Sequence, residues 1–254
     1  MIDRRELLEK AREKKLNLMI VEKDYVLGWL LYGFSGEPNL VFKGGTALSK
    51  IYFPRIWRLS EDLDFSIIEG APESILERVG RILATAEESS GIRFSLRSSY
   101  ANPDYLQLKI RYEGVIGKNW IKADVTKNDL VDKPVLKPIH RDYSDYIQFK
   151  IKVESLEEIF ASKLRAVIER KKCRDYFDLW KLTKMRFDGK KIKRIFLAKC
   201  ALKNIEFEGK EQIFPPDLLE TLKPYWEREL GRLINPTPAI EEVLKELKKA
   251  LEFI

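Results

Sequence analysis

Leu40-Val41-Phe42-Lys43-Gly44-Gly45-Thr46-Ala47-Leu48, followed shortly by Arg58-Leu59-Ser60-Glu61-Asp62-Leu63-Asp64-Phe65, carries the strongest structural signal in the chain. An apolar strand end runs into a double glycine, then a short amphipathic segment, then two acids separated by one leucine. Side chains alternate across a strand, so Asp62 and Asp64 project to one face while Leu63 turns to the core. Paired carboxylates on a sheet surface suit a hard divalent cation, which takes oxygen ligands. The glycines permit a sharp turn and let backbone amides approach a phosphate unobstructed. A phosphate cradle beside paired acids suggests chemistry on a nucleotide. Taken singly, each acid is also compatible with a solvated strand end.

Composition sets outer bounds. The 254 residues are enough for one large domain or two smaller ones, each with a buried core. Lys and Arg total 47 against 40 acids, a net charge of +7, which fits a polyanionic partner such as RNA or a generally basic surface. The apolar run Val26 to Phe34 is too short to span a bilayer. Asp3-Arg4-Arg5-Glu6 opens a charged, amphipathic N-terminal stretch without an apolar signal region, so the expected location is cytoplasmic, away from membranes. Cys173 and Cys200 are the only cysteines and His140 the sole histidine. That inventory excludes a disulfide framework, a Cys/His zinc site and His-pair ligation. A metal here would be held by carboxylates, hence magnesium or manganese.

Periodicity divides the chain into a mixed N-terminal part and a helical C-terminal part, a mixed α/β (α+β) class with a boundary near 150. Helical spacing covers 4–16 and 20–34, and strands are expected at 40–43 and 63–68. Pro72 opens a helix to about 88. Strand patterns follow at 92–97, 105–112 and 119–126, the second with clean alternation of Leu106, Leu108 and Ile110 against Gln107, Lys109 and Arg111. A loop spans 128–146 and a strand 147–153. Ser155-Leu156-Glu157-Glu158 has a capping-box pattern and starts a helix through Arg170. Helices are expected from Arg174-Asp175 onward, and over about 190–203, 215–231 and 238–252.

Three further groups bear on chemistry. Asp124, on the 119–126 strand, supplies a third carboxylate and completes an acidic cluster of the kind that holds two metal ions. Lys163, Ala166 and Arg170 fall on one helix face, and a Lys and an Arg over a small residue suit a triphosphate. A solvated basic face is the plainer alternative, which Arg165 and Lys171-Lys172 support. Asp175 is either a helix-start charge, an orienting partner for Lys163 or Arg170, or a proton acceptor for a hydroxyl. Asp178 caps or pairs with Lys181 on the plainer reading. His140-Arg141-Asp142 echoes a kinase catalytic loop but has Ile147 where an Asn is required, and Lys43-Gly44-Gly45-Thr46 lacks P-loop spacing.

In order, Phe42-Lys43-Gly44-Gly45-Thr46-Ala47-Leu48, Arg58-x-Ser60-x-Asp62-x-Asp64, Lys122-x-Asp124, Lys163-x-x-Ala166-x-x-x-Arg170 and Arg174-Asp175-x-x-Asp178 resemble the motifs of the AbiEii/AbiGii-type nucleotidyltransferase toxins. That family is a branch of the polymerase-β-like superfamily. The resemblance implies a nucleotidyltransferase-like mixed sheet flanked by helices over 1–150. It also implies a helical domain over 151–254 that contributes Lys163, Arg170 and Asp175. The activity implied is transfer of a nucleoside monophosphate from an NTP to an acceptor hydroxyl, with release of pyrophosphate. Asp62, Asp64 and Asp124 would bind Mg2+ or Mn2+. Lys43, Gly44, Gly45, Thr46, Arg58, Ser60, Lys163 and Arg170 would hold the NTP, with Asp175 needed for activity. Relatives are toxins of toxin–antitoxin or abortive-infection systems, some acting on the acceptor end of tRNA. An RNA acceptor and a cognate antitoxin are therefore the expected partners. Two alternatives stand beside it: a small-molecule, antibiotic-modifying nucleotidyltransferase, and a non-catalytic RNA- or protein-binding module on the same fold.

Overall fold

The computed structural model describes residues 1–54, 57–127, 129 and 131–254. Asn128 and Leu130, in the loop expected over 128–146, lie outside the described residues, as do Arg55 and Ile56. The chain forms two compact units, residues 1–130 with 134–154 and residues 131–133 with 155–254.

The first unit opens with α1 (Arg4–Lys14) and α2 (Leu18–Phe34), each started by a side-chain cap. Asp3 accepts from the Glu6 amide and Asn17 from the Met19 amide, both at 2.8 Å, satisfying donors that a helix start leaves without partners. There follow β1 (Leu40–Lys43), the short α3 (Gly44–Ala47) with a π-turn over Leu48–Tyr52, and β2 (Asp62–Ile67). Pro72–Ile75 forms a 3-10 turn ahead of α4 (Leu76–Ser90), so the helix expected from Pro72 begins four residues later. Next come β3 (Arg93–Asn102), β4 (Tyr105–Glu113), β5 (Lys118–Lys127), β6 (Val135–Pro138) and β7 (Lys150–Val153).

These strands make one mixed sheet in the order β3-β4-β5-β2-β1-β7-β6. β2 runs parallel to β5 and β1 parallel to β7, and the remaining neighbours are antiparallel. One face is apolar: Leu63, Phe65, Leu106, Leu108, Ile110, Ile121, Ala123 and Val125 are fully buried. α2 and α4 pack on each other and over this side, with Phe34 against Phe65 at 4.9 Å between ring centroids and the rings tilted by 36°. Complete burial of each of the larger side chains stabilises the unit by about 1.5–3 kcal/mol. The period-two pattern thereby forces the alternate residues, Asp62, Asp64, Lys122 and Asp124 among them, onto the opposite face.

The second unit is helical: α5 (Leu156–Glu169), α6 (Cys173–Thr183), α7 (Gly189–Leu202), α8 (Leu218–Leu230) and α9 (Ile240–Ala250). Phe160, Leu164, Tyr176, Phe177, Phe196, Val243 and Leu247 form its buried centre. Only half of the expected capping box forms. Ser155 Oγ accepts from the Glu158 amide at 3.2 Å. The Glu158 carboxylate instead accepts from the Val131 and Asp132 amides and pairs with Lys199 at 3.0 Å, both side chains fully buried. A buried Lys199 charge requires that pairing, and it outcompetes the local bond back to Ser155.

Candidate active site

The first unit brings the two halves of the glycine-acid stretch together. Lys43 ends β1 in extended conformation and Gly44 turns the chain at φ +77°, a region that side chains disfavour. A Cβ on Gly44 would lie 2.6 Å from Asp64 Oδ2. One on Gly45 would lie 2.9 Å from an Arg58 guanidinium nitrogen and 3.5 Å from Ser60 Oγ. The double glycine is therefore required for contact as well as for conformation, because it packs backbone directly over Asp64, Arg58 and Ser60. Arg58 and Ser60 are both buried, and one Arg58 nitrogen donates to the Leu59 carbonyl at 3.0 Å.

Register aligns the acids. Asp64 stands opposite Asp124 in the β2–β5 pair and Asp62 opposite Lys122, so all four share the face away from the core. Asp124 is held at both oxygens: Tyr105 donates its hydroxyl to Oδ1 at 2.9 Å, and Lys122 Nζ contacts Oδ2 at 2.8 Å. Gln107 in turn donates to the Tyr105 hydroxyl at 2.8 Å. The Asp64 carboxyl is pushed above the usual carboxylate range by burial and by the negative charges of Asp124 and Asp62, against the pull of Lys43 and Lys122. Burial draws the Lys122 ammonium down, but its bond to Asp124 and the other acids leave it raised overall. The face thus holds a carboxyl, Asp64, that is disfavoured in its charged form chiefly by burial and next by the acids beside it.

Two residues expected at the nucleotide are engaged elsewhere in the framework. Lys43 Nζ donates to Thr126 Oγ1 and Asp129 Oδ2, both at 2.6 Å, tying β1 to the end of β5. Thr46 is fully buried, and its hydroxyl donates to the Asp62 carbonyl at 2.5 Å, which fixes the start of β2. Sequence reasoning missed Tyr105 and Gln107, although both sit on the polar side of the clean alternation in β4.

The second unit holds the remaining residues as one ionic cluster. Lys163 Nζ contacts Asp175 Oδ1 at 2.8 Å and Asp178 Oδ2 at 2.9 Å, and Arg170 Nε contacts Asp175 Oδ2 at 3.1 Å. Asp178 thus serves Lys163. Arg170 lies beyond the end of α5 in extended conformation (φ −150°), so it is not on the helix face with Lys163, yet its side chain returns to Asp175. Burial alone would raise the Asp175 carboxyl, but Lys163 and Arg170 overcome it and hold the group down at about 2. His140 is a loop residue whose Nδ1 lies 3.0 Å from the Asp142 carboxylate.

The donor set around Asp64 is all oxygen, which suits magnesium or manganese. Among the described residues no three acidic, His or Cys side chains are drawn together as a preformed cage. The fit rests on Asp62 and Asp64 sharing one strand face and on the surplus charge at Asp64, which a cation would relieve.

A family model described as nucleotidyl transferase AbiEii toxin, type IV toxin–antitoxin system, matches residues 29–252. No curated protein matches the chain. Among solved structures, the nucleotidyltransferase toxin MenT4 from Mycobacterium tuberculosis H37Rv superposes with a TM-score of 0.76 at 20% identity, covering 100% of this chain and 89% of that one. JHP933 from Helicobacter pylori superposes at 0.65 with 19% identity, covering 93% and 92%.

Proposed function

This chain belongs to the AbiEii family of nucleotidyltransferase toxins of type IV toxin–antitoxin systems, and from that premise we propose that it moves an NMP from an NTP to the hydroxyl of an RNA acceptor, with Asp62 and Asp64 at the centre of the reaction. Membership makes it a nucleotidyltransferase of the toxin class, with an NTP substrate and an antitoxin partner. We further propose that the acceptor is a tRNA end and that the reaction depends on Mg2+ or Mn2+. The supporting observation is the packing of the Gly44-Gly45 backbone onto Asp64, Arg58 and Ser60, which joins a side-chain-free turn to the acid strand.

In this mechanism the Gly44-Gly45 turn, Arg58 and Ser60 receive the triphosphate. Asp62 and Asp64, with Asp124 beside them, would hold the divalent cations, which when bound neutralise the triphosphate and polarise the α-phosphoryl group. The acceptor hydroxyl attacks the α-phosphorus in line, giving up its proton to water, as the bond to the pyrophosphate oxygen breaks and pyrophosphate leaves. Most of the rate comes from positioning and charge stabilisation. Lys43 and Thr46 act by fixing β1 and β2 rather than by touching the nucleotide. The Lys163–Asp175 cluster is a second requirement of the reaction. Asp175 is an orienting group, not a base, because both its oxygens are engaged and its carboxyl sits at about 2.

The test offers each labelled NTP, with magnesium or manganese, to total tRNA, protein and small-molecule acceptors, with Asp62→Ala as control. Label in tRNA that vanishes in Asp62→Ala is the expected result. Label in a small molecule alone would move the chain to the antibiotic-modifying class. No transfer at all, or transfer undiminished in Asp62→Ala, contradicts the mechanism.

A further inference from the structure

The polar face of β3, β4 and β5 continues well beyond the acids, and its make-up changes along the way. Cross-strand pairing defines its rows. Tyr100, Gln107, Asp124 and Asp64 form the row at the acids. Ser98, Lys109, Lys122 and Asp62 form the next. Ser95, Arg111 and Trp120 form the third. Directly paired residues project to the same side of a sheet, so all three rows lie on one surface. Trp120 is thus four residues from Asp124 along β5, about 13 Å at the rise of a strand.

A tryptophan kept at 37% exposure on an open sheet face is unusual for a side chain of that apolar area. Two cations lie near the Trp120 ring, Lys23 Nζ at 5.4 Å and Lys109 Nζ at 5.8 Å from its centroid. Neither Lys109 nor Arg111 forms an ion pair with a carboxylate among the described residues, although Glu113 lies within electrostatic reach of Arg111 and Glu61 pairs with Lys23, so this end of the face is rich in cations beside a part-exposed aromatic ring. At the other end Tyr100, 60% exposed, lies across β4 from the acids. Stacking rings interleaved with cations on a sheet are how single-stranded nucleic acid is bound without sequence readout. A basic patch alone would fit any polyanion. The exposed rings select bases, and the acids at one end repel a phosphate backbone and so set where the strand must stop.

Resting on the reading of this chain as a nucleotidyltransferase acting on RNA, we propose that the β3–β5 face is the acceptor platform, on which a single-stranded RNA 3′ segment stacks a base on Trp120. Lys109 and Arg111 contact its phosphates, and Tyr100 takes a base nearer the reacting hydroxyl.

The test uses the full-length chain and a fluorescein-labelled 12-nucleotide single-stranded RNA with a free 3′ hydroxyl, read by anisotropy at two salt concentrations. Parallel transfer assays with total tRNA use the same proteins. Trp120→Ala should weaken RNA binding by about fivefold to a hundredfold, the range spanned by one lost base stack. Trp120→Phe should restore most of it. Lys109→Gln with Arg111→Gln should weaken binding and flatten its salt dependence. Lys248→Gln with Lys249→Gln, removing equal charge from α9, should change affinity less than twofold. Melting curves confirm that each variant is folded. RNA affinity unchanged in Trp120→Ala, or lowered equally by the α9 pair, overturns the platform even if tRNA is labelled. Trp120-dependent RNA binding without any transfer to tRNA would uphold the β3–β5 face as an RNA-binding surface and overturn its role as the platform for a tRNA acceptor.

Discussion

Acids and cations meet twice in this chain, with opposite outcomes. In the second unit Asp175 and Asp178 face Lys163 and Arg170, and the balance holds the Asp175 carboxyl down at about 2. In the first, Asp62 and Asp64 on β2 and Asp124 on β5 share one sheet face, and burial with neighbouring negative charge pushes the Asp64 carboxyl up. The same residue types give a closed ionic network in one place and an acidic face with a raised carboxyl in the other. A closed network holds structure, whereas the open acidic face is where the proposed mechanism places its cations.

That contrast breaks down if both clusters respond alike to loss of charge. Asp64→Asn should lower single-turnover transfer on the order of 10³-fold, the scale at which a preorganised electrostatic contact acts, while leaving the melting temperature unchanged or raised. Lys163→Met should behave the other way in stability. Leaving two buried carboxylates without their ammonium costs about 3–5 kcal/mol, measured by urea unfolding.

The pH dependence follows the same division. A carboxyl lowered in the fold stabilises above its unfolded value and loses that contribution as pH falls through the folded value. Asp175 should therefore contribute about 2 kcal/mol at neutral pH that disappears between roughly pH 4 and pH 2. Asp175→Asn should flatten the stability profile over that window. Gly44→Ala forces a side chain into positive φ and against Asp64, and should cost about 1–3 kcal/mol with a drop in transfer. Tyr105→Phe removes one hydrogen bond to Asp124 and should change stability by about 1 kcal/mol, seen as a shift of a few degrees in melting.

What was legible in the sequence was whatever one face of a single element encodes. The alternation in β4 and β5 named the core side and hence the side of Asp124, because a one-residue slip would expose Leu106, Leu108 and Ile110. β6 carries little signal because its four residues, which follow Pro134 and end on Pro138 with half of them exposed, have little apolar pattern at a sheet edge. β7 is shorter than its pattern, since Ile147 is exposed and the ladder starts only at Lys150. At the site, the glycines and acids were readable from local chemistry. The bond of Lys43 to Asp129, 86 residues away, was not, nor was the diversion of Glu158 to Lys199. Both depend on which distant partner a buried charge reaches. The Tyr105–Gln107 support of Asp124 is likewise a product of register between strands.

Manganese binding in the presence of NTP, followed by the loss of the free Mn2+ paramagnetic signal, tests the central contrast most directly. The account predicts binding in the wild type that is lost in Asp64→Asn and kept in Asp175→Asn. Binding that survives Asp64→Asn, or that disappears only with Asp175, would contradict it.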